Sequence, residues 1–523
     1  MTKLAEVRAS ANVTNGSAAA SDLELSCDVC VIGSGAGGAV TAATLAAAGV
    51  DVLIVEEGGY WTNSDFTMRE KDVVSKLYQE AMQRATADGA IAILQGRAVG
   101  GTTVVNYTTS FRTPEHVVDH WKKKHGVTGF THADLGPHWD WIEKRLAIHK
   151  VSEEEMNLNN RKLFEGFKAM GWQADTLYRN VAACMQSGFC GLGCPVNAKR
   201  SMLVTLIPDA IDAGARLVYR ARIDRLETSA SSATRAVGTL LDAEGVGSTG
   251  KRLTIKAKRF VLSGGAINTP ALLLRSGITL GGLVGERTFI HPVIGSSAVY
   301  DEIIDPWRGA PQSAASHHFA DRGEKVGVFF EAVPFYPMVM ASATPGFGAE
   351  HVEHLGRARH TAGHVALVID GFHEDVVGGV VRLRPNGAPV LDYPIPASIW
   401  EALRFGQRKL AEAAFASGAK SASTLHDPIL EMKSKDDISR IESMPYKPGA
   451  LPVFTAHLMG GCRMGNEPRT SVVRSDDLRM HDYDNVWVID GSVFPTSLGV
   501  NPQESIYGLA RLMATRLSRS ILP

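Results

Sequence analysis

The sequence predicts a two-domain α/β protein built on a Rossmann-like dinucleotide-binding sheet, and three observations carry that prediction. An apolar strand, Val29 to Ile32, breaks into Gly33-Ser34-Gly35-Ala36-Gly37-Gly38, and a carboxylate, Glu56, follows 23 positions after Gly33. The 523 residues exceed what one hydrophobic core ordinarily takes, so a second, interleaved domain is expected. After a middle region of different character the chain returns with Asn485-Val486-Trp487-Val488-Ile489-Asp490-Gly491, an apolar strand of the first kind.

Taken in order, residues 1–24 are rich in Ala, Ser, Asn and Thr and lack the continuous apolar core of a secretory signal; a disordered tail is expected there. In the glycine motif, Gly33 permits the tight turn, Gly35 lets backbone approach a pyrophosphate, and Gly38 lets the following helix lie close on the sheet. The pyrophosphate then meets the positive helix N-terminus. The next strand, Asp51 to Val55, ends in Glu56, placed to accept hydrogen bonds from a ribose, with Glu57 as the neighbouring alternative. The nearly uncharged stretch Ala36 to Val55 imitates a membrane span, but its glycines and Asp51 favour a buried helix and strand. Cys27 and Cys30 form a CxxC in that first strand, where residues three apart point to opposite faces, so they read as small core fillers.

A second glycine-rich loop, Gly96-Arg97-Ala98-Val99-Gly100-Gly101-Thr102-Thr103, is followed by Asn106, and the paired glycines bring backbone close to something flat or charged. A third, Val261 to Pro270, is again an apolar strand turning into a helix, Ala271 to Arg275, and reads as a late strand of the same sheet. Residues 299–445 hold strand-like runs, Val326 to Phe330 and Val380 to Leu383, and a helix from about Ser398 to Ala416, which assigns them to a separate domain. The returning strand is followed by a final helix. The 54 basic and 55 acidic residues nearly cancel, which gives no electrostatic case for nucleic acid or an acidic membrane. Lys122-Lys123-Lys124 reads as a solvated helix face. Six cysteines in so long a chain make no disulfide framework, so a reducing, cytoplasmic setting is the expectation, the alternative being the periplasmic face in a complex exported with a partner.

Five ordered segments, Gly33 to Gly38 with Glu56, Gly96 to Asn106, Gly265 to Gly277, His457 to Gly465 and Asp490 to Ala510, together resemble the glucose-methanol-choline (GMC) family of flavin oxidoreductases over nearly the whole chain. The likeness is to its bacterial long-chain alcohol oxidase and cholesterol-oxidase-like branch. The resemblance implies an FAD-binding domain from 25–125, 183–298 and 446–523, interleaved with an α+β substrate domain, 126–182 and 299–445, that contains an antiparallel sheet. It implies FAD held by Gly33, Gly35, Gly38, Glu56, Arg97, Gly100, Gly101, Thr102, Asn106, Ile223, Asp490, Gly491 and Asn501. Some members bond the flavin covalently through a histidine just before the position of Asn106; Val105 stands there, so non-covalent FAD is expected. Thr279 replaces a glycine usual after Ser276-Gly277-Ile278, which bears on loop geometry alone.

Oxidising an alcohol needs a base and a second hydrogen-bonding group near one oxygen while hydride leaves carbon for flavin N5. His457, in Thr455 to Gly465, matches the family's HPxGxCxxG-like segment, with Leu458 in place of proline, and is the expected base. Asn501 matches the second catalytic position and also reads as an N-cap followed by Pro502 and a capping-box Glu504. Glu331, in Phe330-Glu331-Ala332, resembles more loosely a glutamate presented to substrate; in an apolar setting its pKa rises, and an exposed strand-end carboxylate is the plain alternative. Cys184, Cys190 and Cys194, with three interspersed glycines and Pro195, resemble the iron-sulfur loop of some family dehydrogenases; a three-iron cluster is one expectation, reduced thiols in a glycine-rich loop the other. The resulting expectation is FAD-dependent oxidation of an apolar alcohol, with oxygen, a quinone or a cytochrome reoxidising the flavin, no nucleic-acid partner, and a small accessory or cytochrome subunit as a candidate partner. The rivals are a flavin-fold lyase and an electron-transferring subunit.

Overall fold

A computed structural model describes residues 2–521. Two sheets organise it. In the first, parallel strands stand in the order Val13–Asn15, Arg216–Tyr219, Val52–Glu56, Leu23–Ile32 and Ser248–Leu262, with Val486–Val488 pairing the far side of Phe260–Leu262. Strands buried on both faces read as continuous apolar runs, and this is why Val29–Ile32, Val52–Val55 and Phe260–Leu262 were legible without alternation. The amino-terminal part of the long strand Ser248–Leu262 turns outward into an antiparallel meander with Ser232–Leu241 and Ala221–Ser229.

The second sheet is largely antiparallel: Glu431–Met432, Ser421–Thr424, Val293–Val299, Thr361–Val368, Val328–Ala332, Ala314–Ser316 and Asp175–Thr176, with Val453–Thr455 and Ile91–Ile93 branching from Val293–Val299. Helix Ala397–Ala416, one residue longer than expected at its start, covers one face of this sheet. Its buried Ile399, Leu403, Gly406 and Leu410 fall at helical spacing. Gly406 lets the helix sit close, since a Cβ there would lie 2.6 Å from Ala366 Cβ. Helix Leu158–Ala169 packs beside it, with Gly166 against the Ala413 carbonyl.

Several expectations need correcting. The segment expected to be a disordered tail carries helix Thr2–Arg8, and strand Val13–Asn15 pairs in parallel with Leu217–Tyr219; an edge of the first sheet supplies the hydrogen bonds its small polar residues could not gain alone. The chain crosses between sheets more often than the expected boundaries allow. Ile91–Ile93, Val453–Thr455 and all but the end of Val293–Val299 lie in segments assigned to the nucleotide domain yet belong to the second sheet. Helix His132–Leu146, assigned to the other domain, packs Leu135, Trp139 and Ile142 in the first core beside the final helix, Gln503–Ile521. Val380–Leu383 forms its own hairpin with Pro389–Asp392. Cys27 and Cys30 are buried core residues, and the neighbouring Cys27 together with burial holds the Cys30 thiol well above its usual range. Among the described residues no helix is long and apolar enough to cross a membrane.

Leu403 is fully buried where the long helix meets the sheet. Leu403→Ala is expected to destabilise the protein by about 2–5 kcal/mol through the lost burial and the cavity left behind, measured as a lower thermal unfolding midpoint with FAD content unchanged.

Candidate active site

The first sheet delivers three glycine-bearing loops to one place. Gly33 has φ +104°, and a Cβ on it would meet the Ser263 carbonyl at 2.3 Å, so only glycine turns the chain there. Gly38 touches the Gly33 carbonyl in the same way. Gly35 differs: a Cβ on it would meet only Gly101 Cα, at 3.7 Å, so its outer side is open. It is also the N-cap of helix Ala36–Ala47 and offers no side-chain cap, which leaves the first amides of that helix for an anion. The second loop closes on the first, since a Cβ on Gly101, φ +58°, would sit 2.7 Å from Gly35 Cα. This is a cradle for a pyrophosphate, and the donor set fits FAD.

Glu56 braces the cradle. Its Oε2 accepts from Ser34 N at 3.0 Å and Ser34 Oγ at 2.7 Å, its Oε1 from Gly58 N at 2.8 Å, and Ser34 Oγ accepts from Gly100 N at 3.0 Å. Burial raises this carboxyl, against those hydrogen bonds. A carboxylate offers about four acceptor positions, so one remains for a ribose hydroxyl. Glu57 is instead paired with Arg97 Nε at 2.9 Å, and Arg97 also reaches the Gly245 carbonyl. Thr102 Oγ1 accepts from Gly96 N at 3.1 Å and shapes the second loop. Ile223 lies buried in strand Ala221–Ser229, its carbonyl 3.4 Å from Arg275 Nη2. On the opposite side, Asp490 holds the third loop through Gly265 N at 2.8 Å and Thr269 Oγ1 at 2.6 Å, and Gly491 lies against the Leu458 carbonyl.

The expected reacting residues converge beside this cradle. Asn501 Nδ2 lies 3.1 Å from His457 Nε2 and 3.4 Å from Glu331 Oε2. Glu331 comes from the middle of strand Val328–Ala332, His457 from the turn after Val453–Thr455, and Asn501 from the entry to the final helix. Glu331 is 1% exposed and Asn501 5%, whereas His457 as a whole residue is of intermediate exposure. Glu331 Oε1 and Asn501 Oδ1 are buried without a partner. Burial pushes the Glu331 carboxyl up to about 8, against hydrogen bonds from Asn501 and Gln312, and holds the His457 imidazole down at about 4. At neutral pH the site therefore holds a neutral imidazole and a mostly protonated acid.

The exposed-carboxylate alternative for Glu331 is overturned by that burial. The aromatic run around it splits by strand parity: Phe329 shares the face of Glu331 with Val293, Val365, Leu367 and Ile369, while Phe330 packs with Phe167 into the core behind. The capping box at the final helix is not formed. Asn501 turns its carboxamide into the site, and Glu504 is buried with Oε1 unpartnered, its carboxyl held well above the usual range by burial and by Glu143.

Three residues escaped sequence reasoning. Gln312 Nε2 donates to Glu331 Oε2 at 2.8 Å; Gln503 ties Asn106 Nδ2 at 2.7 Å and the Thr109 carbonyl at 2.6 Å to the final helix; His291 Nδ1 lies 3.1 Å from His457 Nδ1. The neighbour of Pro502 was the one local signal, and it pointed to a helix start. The cysteine loop is corrected as well. Cys184, Cys190 and Cys194 line one small cavity, but among the described residues no group of three or more His, Cys, Asp or Glu side chains could hold a metal ion. Buried Lys199 instead staples the loop to the cradle, donating to the carbonyls of Cys190 at 2.6 Å, Asn106 at 3.1 Å and Val104, while Arg179 approaches Cys190 Sγ at 3.7 Å.

Comparison with known proteins matches residues 74–293 and 379–510 to two family models, each described as GMC oxidoreductase, and residues 26–63 to one described as an FAD binding domain. An uncharacterised GMC-type oxidoreductase of Mycobacterium tuberculosis is 34% identical over 93% of this chain and 75% of its own length. A long-chain-alcohol oxidase of Arabidopsis thaliana is 28% identical over 95% of this chain and 68% of its own. Among solved structures, a formate oxidase of Aspergillus oryzae RIB40 superposes with a TM-score of 0.71 over 96% of this chain and 99% of its own, at 17% identity, which shows the shared fold.

Because a side chain on Gly101 must push the two phosphate-side loops apart, Gly101→Val is expected to give a folded protein that purifies without yellow colour. The flavin absorbance per chain, set beside an unchanged far-ultraviolet circular dichroism spectrum, checks this.

Proposed function

Because the chain belongs to the GMC oxidoreductase family, we propose that it oxidises the CH–OH group of an apolar alcohol, such as a long-chain, alicyclic, aromatic or sterol-like one, to the aldehyde or ketone. The observation that carries this reading is the meeting of His457, Asn501 and Glu331 beside the cradle, with buried polar atoms of Asn501 and Glu331 left unpartnered for a substrate oxygen. FAD, when bound, supplies the hydride acceptor. The chain's own residues do the rest. The hydroxyl proton passes to the pair formed by His457 and Glu331, and Asn501 bridges the two and orients the oxygen. The entry to the final helix would offer its first amides and positive end to bound FAD, where they would favour negative charge. Val105, in the place of a linking histidine, goes with FAD held without a covalent bond.

The apolar preference rests on Val293, Phe329, Val365, Leu367 and Ile369, which cover the sheet face that also carries Glu331. The long-chain-alcohol oxidase relatives support both that substrate class and oxygen as the acceptor.

Adding decanol, cyclohexanol and benzyl alcohol to the purified holoprotein without oxygen tests the reading. Bleaching of the flavin by at least one of them is expected. Cleavage of substrate with the flavin still oxidised would make the protein a lyase and overturn it.

The acid at the site sets a pH dependence. A carboxyl must be ionised to accept a proton, so with its pKa near 8 the rate of flavin reduction should rise with pH through about 8 and level off above. Glu331→Gln should lose that limb and reduce flavin some 10²- to 10⁴-fold more slowly, as read by stopped-flow absorbance across pH 6 to 10.

A further inference from the structure

The apolar sheet face that carries Glu331 also carries a histidine. His317 follows strand Ala314–Ser316 and is half-buried, and its ring nitrogen Nε2 is buried without a hydrogen-bond partner. We infer that His317 is a specificity-determining residue whose Nε2 hydrogen-bonds a second hydroxyl of the substrate, so that the alcohol served best is a diol with an apolar chain between its hydroxyls. The inference rests on the reading of the neighbouring site as the place where the alcohol is oxidised.

Strand register sets the position of His317. Ala315 stands opposite Glu331 and Ser316 opposite Phe330, so His317 falls opposite Phe329 and, by alternation, on the side of Glu331. The rings agree: His317 lies flat on Phe329, with centroids 5.1 Å apart and planes 7° from parallel, and Phe111 meets it edge-on at 5.3 Å. His317 is also near enough to His291 to help depress that imidazole, and His291 in turn meets the ring of His457 at 3.1 Å. Diagonal neighbours across an antiparallel strand pair, as His317 and Glu331 are, lie about 7–8 Å apart, a span that a chain of about six carbon atoms bridges.

The unpaired nitrogen separates His317 from the structural histidines of the same domain. His364 spends its Nε2 on the Asn159 carbonyl at 3.1 Å, and His426 spends both ring nitrogens, on Thr424 Oγ1 at 3.0 Å and the Pro445 carbonyl at 3.1 Å. His317 has no such partner for Nε2 among the described residues, although its ring is fixed between two aromatic neighbours.

The chemistry of the ring selects the group it takes. Burial holds the His317 imidazole down at about 4, against the nearby Asp175, so at neutral pH one ring nitrogen donates and the other accepts. A hydroxyl does both and satisfies Nε2 in either tautomer, whereas an ether or carbonyl oxygen suits only one. A charged group would find no counter-charge in a neutral ring among apolar side chains. With one hydroxyl at Glu331 and Asn501 and the other at His317, the chain between them lies along Phe329 and its aliphatic neighbours.

The test compares hexanol with the hexanediol that bears a hydroxyl at each end, as rates of flavin reduction in the holoprotein over a range of concentrations. In the wild-type protein kcat/KM should favour the diol by about tenfold or more beyond what a second reactive end gives by count alone, mainly through KM. His317→Phe keeps a flat ring against Phe329 and removes the nitrogen, and that preference should fall by about tenfold. His317→Gln offers an amide in the same place and should retain part of it. A second readout needs no turnover: with the flavin already reduced, the ring-nitrogen shifts of His317 in protein labelled with ¹⁵N-histidine, assigned by their loss in either variant, should move on adding hexanediol and far less on adding hexanol. Equal kcat/KM for the two alcohols in the wild-type protein after that count, or an undiminished preference in His317→Phe, overturns the inference. Should the Phe variant fail to fold, the Gln variant and the wild-type shifts decide. If neither alcohol bleaches the flavin, the functional reading falls; an unmoved His317 signal then takes this inference with it, and a moved one leaves diol binding standing. Bleaching by both alcohols with equal efficiency spares the functional reading and sinks this one.

Discussion

The site depends on one short stretch of strand pairing. Val293 and Ile294 lie antiparallel to Phe454 and Val453, and the Thr455 hydroxyl closes on the Ile290 carbonyl just beyond. Those few hydrogen bonds join segments more than 150 residues apart and set two turns side by side, one bearing His291 and the other His457. The same strand, Val293–Val299, pairs with Thr361–Val368, which in turn pairs with the strand of Glu331. The carboxyl, the two imidazoles and the carboxamide are thus referred to one rigid sheet and to the helix that starts at its edge. Rigidity of this kind is what a hydrogen-bonding constellation needs if its dipoles are to be oriented before substrate arrives.

The electrostatic state of the site is a product of burial, not of ion pairing. Among the described residues no salt bridge involves Glu331, and its hydrogen-bond partners are two carboxamides, which stabilise a carboxylate far less than an arginine would. Its pKa consequently sits where a modest change in surroundings converts acid to base. The imidazoles are moved the opposite way by the same burial, and both stay neutral. A neutral pair linked nitrogen to nitrogen shares one proton, given by one ring and accepted by the other.

How much of this was legible in the sequence depended on whether a feature was local. Gly33, Gly35, Gly38, Glu56 and the Gly100-Gly101 pair could be read because the turn, the positive φ and the helix start are all set within a few residues. His457 and Asn501 could be named through the family's motifs. His291, Gln312 and Gln503 could not, because each acquires its role from pairing or packing with segments far away in the chain. The amino-terminal residues were misread from composition, since a sheet edge supplied by Arg216–Tyr219 orders a segment whose own side chains could not. Asn501 and Glu504 had the spacing of a capping box, but both side chains are drawn into buried surroundings that override the local preference. In the same way the strand Val328–Ala332 divides its aromatic residues between core and site by parity, which composition alone does not reveal.

The unpartnered atoms bear on the proposed alcohol substrate. A buried polar atom without a partner costs on the order of 1–3 kcal/mol, so Glu331 Oε1 and Asn501 Oδ1 leave the free site unsatisfied. An alcohol hydroxyl both donates and accepts, so on the proposed reading it would give these oxygens the partner they lack. A hydrocarbon of the same shape satisfies neither. The apolar cluster of Phe329 and its aliphatic neighbours lies on the sheet face that carries Glu331, and the proposed preference for an apolar carbon skeleton rests on it. On the proposed reading, recognition of a hydroxyl by the unsatisfied atoms and of the carbon skeleton by the apolar face would be independent of each other.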